Sequence, residues 1–305
     1  MSLSDAMPEP SASFHLVLDD GATTKVRRYG NPRGIRLLLS HGNGFAIDGY
    51  RSFWELLLPD FEIVLFDQRN HGQNAPSAAE NHTYPQMARD LACLRDGIEA
   101  NLGPKKTVGL FHSISARIAI MHAVETGRPW DALVLFDPPN IPPPGHRLYE
   151  AMRAFEIRIA AWAERRQAHF ASSDELAAQF ARSRASASWS PGAHAQMARA
   201  VLRPEPDGQG WRLTCPPALE ASLYTGSLAH DLWLPPGVFR SPVTLIAADP
   251  TLPNALPSAL ANQAWAEDHG YDYAPISGTG HMLQIEKPAE TAAAVRAFLA
   301  KVGVA

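Results

Sequence analysis

Short unbroken apolar runs recur along the chain, separated by longer stretches in which apolar positions return every third or fourth residue. The first pattern marks strands buried on both faces and the second marks amphipathic helices, so their alternation predicts a mostly parallel sheet covered by helices. Strands are expected at 35–39, 63–66, 107–111, 132–136 and 243–247, with 271–276 as the last. An opening hairpin is expected from 14–18 and 24–29 around the Asp20-Gly21 turn signal. Helices are expected over 50–58, 84–101, 116–126, 257–269 and 289–302. In the last of these Ala293, Val295, Phe298, Leu299 and Val302 fall on one face, and Pro288 suits its first turn.

The alternation breaks between Pro138 and Pro236. A proline-rich connection, Pro138-Pro139-Asn140-Ile141-Pro142-Pro143-Pro144, favours extended backbone. Helical stretches punctuated by Phe155, Ile159, Trp162, Phe170 and Phe180 follow, then a turn at Pro206-Asp207-Gly208 and a further helical piece at 218–228. The expected organisation is a core domain of 1–137 and 236–305 with a helical cap of 138–235 inserted over the sheet. Residues 1–13 are rich in Ser, Pro and acidic side chains, lack the apolar run of a signal peptide, and read as a short disordered leader.

Composition narrows the classes. With 46% hydrophobic and 19% charged residues the chain is of ordinary globular type. A net charge of -4 gives no basic surface for a nucleic-acid partner. No apolar stretch is long enough to span a membrane. Cys93 and Cys215 do not make a disulfide framework, so a cytoplasmic location is expected. Gly42-Asn43-Gly44-Phe45-Ala46-Ile47 lacks the third glycine of a dinucleotide fingerprint, and no phosphate-loop pattern occurs. No two histidines stand at zinc-ligand spacing with a cysteine or carboxylate partner, so neither cofactor nor metal is expected.

Four segments at strand ends carry candidate chemistry, where open α/β sheets place their ligands. Ser113, in Phe111-His112-Ser113-Ile114-Ser115-Ala116, sits between a strand and a helix, where a sharp turn lifts its oxygen above the sheet; a helix N-cap is the bland alternative. His281, in Gly278-Thr279-Gly280-His281, follows the final strand and is placed to take a serine proton. Asp249, ending the penultimate strand, is the preferred carboxylate to orient that imidazole, with Asp137 as the competitor. Ser40-His41-Gly42-Asn43-Gly44 follows the 35–39 strand, and the N–H groups of Asn43 and Ile114 together suit an oxyanion.

With these residues in place the chain resembles the α/β-hydrolase family outside the insertion. His41-Gly42 is similar to the family's oxyanion-loop start, Asp67-Gln68-Arg69-Asn70-His71-Gly72 to its Asp-x-Arg-x-x-Gly loop, and His112-Ser113 to its nucleophile elbow. Gly280-His281 followed by Glu286-Lys287-Pro288 and an amphipathic helix is close to the family's ending, and the insertion falls where the family carries a cap. Phe111 departs from the small residue usual at the elbow. The resemblance implies a serine hydrolase acting on a small to medium, largely apolar ester, lactone or thioester. Alternatives on the same residues are a C–C bond hydrolase, an amidase, a cofactor-free peroxidase, or a catalytically weak ligand-binding protein. Phe155, Trp162, Phe170, Trp189, Trp211 and Tyr224 are the cap aromatics, which either pack the cap's own core or, where they face the sheet, line an apolar pocket; Arg153 and Arg158 are read as exposed. The expected partner is a small-molecule substrate; the sequence leaves oligomeric state open.

Overall fold

The structure, a computed structural model, describes residues 7–304. Its strands are β1 (Ala12–Val17), β2 (Thr23–Gly30), β3 (Arg36–Ser40), β4 (Glu62–Phe66), β5 (Thr107–His112), β6 (Ala132–Phe136), β7 (His169–Phe170), β8 (Leu202–Pro204), β9 (Trp211–Leu213), β10 (Val243–Ala247) and β11 (Asp272–Pro275). The helices are α1 (Arg51–Trp54), α2 (Tyr84–Leu102), α3 (Ile114–Thr126), α4 (Tyr149–Glu164), α5 (Ser173–Arg182), α6 (Ala193–Val201), α7 (Pro217–Gly226), α8 (Pro257–His269), α9 (Leu283–Glu286) and α10 (Pro288–Lys301). The main sheet has eight strands in the order β1-β2-β4-β3-β5-β6-β10-β11. The β1–β2 and β2–β4 pairings are antiparallel; from β4 to β11 every pairing is parallel.

Strand side chains alternate between two cores. Leu37, Leu39, Ile63 and Leu65 face one, shared with α1 and α10, while Leu38, Val64 and Phe66 face the other, shared with α2, α3 and α8. Both faces are apolar because helices cover both, which is why these strands read as unbroken hydrophobic runs. No helix among the described residues is long and apolar enough to cross a membrane.

Three expectations need correction. Residues 1–6 of the leader lie outside the described residues, but its end is ordered: Ala12 and Ser13 pair with Arg28 and Arg27 in β1. The helix expected over 50–58 is α-helical only at Arg51–Trp54, between the 3₁₀ turns Ile47–Tyr50 and Glu55–Leu57. The insertion is not wholly helical, because β7, β9 and β8 form a small antiparallel sheet. Strands of two or three residues are too short to show a period of two.

The insertion lies against the loops at the carboxyl ends of the strands. Asn43 Nδ2 donates to the Glu220 carbonyl (2.8 Å), Ser190 N–H donates to the Ile285 carbonyl (3.1 Å), and the Phe45 and Trp189 rings meet edge to face. Arg69 fastens the loop after β4 through a buried ion pair with Asp90 and a part-buried one with Asp20, so the Asp-x-Arg-x-x-Gly segment is structural.

Candidate active site

β5 ends at His112 and α3 begins at Ile114, leaving Ser113 alone to reverse the chain, with φ 57° and ψ -117°. That backbone region costs a non-glycine residue about 1–3 kcal/mol and persists only where surrounding bonds impose it. Here Ser113 N–H donates to the Phe136 carbonyl (2.9 Å). One turn on, the Ser115 hydroxyl accepts from His112 N–H (2.9 Å) and donates to the His112 carbonyl (2.8 Å), closing the bend from inside. Phe111 finds room because Gly109, two residues back on the same strand face, has no side chain. A Cβ at Gly109 would lie 2.5 Å from Phe111 Cε2. The ring is fully buried against Phe66 and Trp130.

Ser113 Oγ stands 3.0 Å from His281 Nε2, so the two residues picked out from strand ends meet across the rim of the sheet. The carboxylate on His281 is that of Asp137, whose Oδ2 lies 2.5 Å from Nδ1. Asp249, the preferred candidate, does not reach the imidazole. Its Oδ1 accepts from the Thr251 N–H (2.8 Å) and hydroxyl (2.6 Å), and its Oδ2 accepts from Gly278 N–H (2.7 Å). Both oxygens are thus taken by a local turn and by the loop that carries His281. Asp137 ends β6, which pairs directly with β5, whereas Asp249 follows β10, one strand further from the elbow.

Asp137 is completely buried and its oxygens are saturated. Oδ1 accepts from Ala248 N–H (3.1 Å) and Asn262 Nδ2 (2.9 Å), and Oδ2 also accepts from the Ser258 hydroxyl (3.2 Å). Burial alone would raise its pKa; the hydrogen bond and charge of His281 and the Ala248 N–H outweigh burial and hold it below the usual carboxylate range.

The loop after β3 presses on the elbow. A Cβ at Gly42 would lie 2.9 Å from His112 Nδ1 and 3.2 Å from Ser113 Cβ, so only glycine allows this approach. Gly42 N–H donates to the Tyr50 hydroxyl (3.1 Å), which lies 2.8 Å from His112 Nδ1, and His112 Nε2 lies 2.9 Å from the His281 carbonyl. Among the hydrogen bonds formed by the described residues, none uses the N–H of Asn43 or of Ile114.

The sequence matches the model described as "Alpha/beta hydrolase family" over residues 37–294. The chain belongs to the α/β-hydrolase family. No curated protein matches it. Among solved structures this α/β-hydrolase is similar to E-2-(acetamidomethylene)succinate hydrolase, with a TM-score of 0.74 at 22% identity over 95% of this chain and 99% of that one. It is similar to a malate-bound esterase from Thermogutta terrifontis, with a TM-score of 0.68 at 20% identity over 96% and 99%. It also resembles a thioesterase domain from the curacin biosynthetic pathway, with a TM-score of 0.67 at 17% identity over 94% and 100%.

Between insertion and core this α/β-hydrolase buries polar groups as well as aromatics. Phe170 and Trp189 are consumed in packing, Trp162 is 55% exposed with the Arg166 guanidinium over its ring, and Arg158 is exposed. Glu156 of α4 is buried, accepts from the Ser227 hydroxyl (2.9 Å), and has its other oxygen unpartnered. Burial pushes its pKa up to about 7 against the opposing pull of Arg117, Ser227 and His281. Arg117, four residues after the elbow serine, is fully buried and donates to the Pro139 (2.8 Å) and Ser227 (2.9 Å) carbonyls. No periodic signal distinguishes Glu156, Arg117, Tyr50 or His112 in the sequence.

Among the described residues His71, His82 and Cys215 bring potential ligand atoms within 4.8 Å of one another. They do not fit a metal. His71 Nδ1 donates to the Arg69 carbonyl and its Nε2 accepts from Gly44 N–H (3.1 Å). Asn70 Oδ1 accepts from Ser77 N–H, which turns the amide nitrogen toward His82 Nδ1 (3.2 Å). Both imidazole lone pairs are therefore already used.

Proposed function

We propose that this α/β-hydrolase is a serine hydrolase that cleaves a carboxylic ester, lactone or thioester through an acyl-enzyme, with residues 138–235 forming a cap domain over the core of 1–137 and 236–305. The observation that carries the reading is the unbroken sequence Ser113 Oγ, His281 Nε2, His281 Nδ1, Asp137 Oδ2, with contacts of 3.0 and 2.5 Å. His281 Nδ1–H donating to the carboxylate leaves the Nε2 lone pair directed at the serine, the tautomer a general base requires.

In this reading Ser113 Oγ attacks the carbonyl carbon as its proton passes to His281 Nε2, and Asp137 stabilises the imidazolium. The N–H groups of Asn43 and Ile114 receive the oxyanion, each contributing about 3 kcal/mol to the transition state. The proton then moves to the departing alkoxide or thiolate, and water deprotonated by the same imidazole releases the acid. Ser113 is only 4% exposed, so the acyl-enzyme forms in a site largely screened from bulk water.

The test is labelling with a fluorophosphonate probe, with p-nitrophenyl esters and a lactone as turnover substrates. The reading expects one probe per chain, on Ser113, and loss of both labelling and turnover in Ser113→Ala. A native protein that is not labelled and turns over none of these substrates would overturn it.

A further inference from the structure

We infer that His112 and Tyr50 are positioning residues: a neutral imidazole and a phenol that brace the oxyanion loop, the elbow and the histidine loop against one another. The inference rests on the serine-hydrolase reading for its effect on rate, but its geometry stands independently.

Partner chemistry fixes every proton in the brace. The His281 carbonyl only accepts, so His112 Nε2 must carry the hydrogen at 2.9 Å. Nδ1 of a neutral ring then has the lone pair, and the Tyr50 hydroxyl must donate to it at 2.8 Å. The phenol oxygen, having donated, is the acceptor for Gly42 N–H at 3.1 Å. One chain of three hydrogen bonds thus runs from the residue before Asn43, through the residue before Ser113, to the backbone of His281. Each loop that delivers a reacting group is held by the brace next to that group.

The arrangement works in only one protonation state. A cationic His112 would turn Nδ1 into a donor facing a hydroxyl already committed to donating. It would also place a second positive charge beside His281, whose ring centroid is 4.6 Å away and which itself becomes cationic during reaction. His112 is 1% exposed, and burial, followed by the charge of His281, holds its pKa well below the ordinary histidine value. The groups facing it are Tyr50, His281, Asp137 and His41, and of these only Asp137 is anionic. Tyr50 is equally buried, with its pKa raised by burial, so it stays a hydroxyl and keeps its proton to donate.

The decisive comparison is kcat per labelled serine in Tyr50→Phe, His112→Ala and His112→Gln, with fluorophosphonate titration counting competent sites. A positioning role predicts that Tyr50→Phe lowers kcat per labelled site by about 10-fold or more with KM within about 2-fold, the loss of one or two buried hydrogen bonds. It predicts that His112→Gln, which can still donate to the His281 carbonyl, recovers part of what His112→Ala loses. A merely structural role predicts fewer labelled sites with kcat per site unchanged, and that result overturns the inference. Should the native protein not label at all, it is the serine-hydrolase reading that fails. The brace is then decided by ¹⁵N spectra of His112: a neutral Nε2–H tautomer at pH 5 through 9, with its Nδ1 resonance displaced in Tyr50→Phe, supports it, and any other tautomer refutes it.

Discussion

Asp137→Asn separates the two carboxylates that compete for His281. In the native protein Oδ1 accepts two N–H donors, Ala248 and Asn262, while Oδ2 faces His281 Nδ1 and the Ser258 hydroxyl. An asparagine keeps its oxygen where the two N–H donors are, because turning its NH₂ there would oppose donor to donor. The amide nitrogen then takes the Oδ2 position and donates to His281 Nδ1; Ser258 adapts by rotating its hydroxyl to accept. The imidazole is driven to the Nε2–H tautomer and loses the lone pair aimed at Ser113. Adding the lost stabilisation of the imidazolium, the expected fall in kcat is about 10³–10⁴-fold, or ~4–5.5 kcal/mol of barrier. Asp249→Asn keeps its oxygen on the two Thr251 donors and loses the bond from Gly278 N–H, so kcat per labelled site is expected within about 3-fold of native, with some loss of stability. Steady-state ester hydrolysis normalised to labelled serine measures both. An Asp137→Asn enzyme near native activity beside a crippled Asp249→Asn would refute the assignment. Linkage adds a second readout. The pKa of Asp137 is depressed on folding, so its stabilisation is present above the unfolded carboxylate pKa of 3.8 and is lost as pH falls through the lower folded value. Asp137→Asn flattens that part of an acid-denaturation profile.

Gly109→Ala should destabilise the fold by about 1–3 kcal/mol in urea, since the new Cβ meets the Phe111 ring, and adding Phe111→Leu should recover part of the loss. Ser115→Ala opens the clamp inside the elbow, removing the hydroxyl's two bonds to the His112 N–H and carbonyl; a cost of about 1–3 kcal/mol is expected from chemical denaturation. Glu156 is raised from 4.5 to about 7 on folding, so its contribution is fully favourable below pH 4.5 and is lost as pH rises through about 7. Glu156→Gln should therefore gain stability relative to native on going from pH 5 to pH 8, by up to ~3 kcal/mol, and parallel urea curves for the two proteins at both pH values would contradict this.

The main sheet was legible because burial on two faces leaves a continuous apolar signature, and five of the expected runs coincide with β3, β4, β5, β6 and β10 to within a residue or so. Ser113 and His281 were legible because each follows a strand at a rim where the fold concentrates side chains. The choice between Asp137 and Asp249 was not. Both end strands on the far side of the elbow, and only the competition for their oxygens, by Thr251 and Gly278 in one case and by His281 in the other, separates them. Phe111 looked too large for the elbow because the compensating gap lies two residues back, at Gly109. Tyr50 lay hidden in an expected helix that breaks into short turns, and its value comes from a partner, His112, that no periodicity links to it.

The position of Asp137 has a consequence for exchanging insertions between relatives. The very next residue opens the proline run of the insertion, so the stem is spliced onto the carboxylate without a spacer. That stem is moored at both ends, Pro139 by Arg117 and Asn140 by the Leu232 carbonyl. A chimera cut between Asp137 and Asn140 would drag the carboxylate bonded to His281 out of register. Junctions placed beyond Asn140 and before Leu232 leave it untouched, so that is the interval within which the insertion can be exchanged.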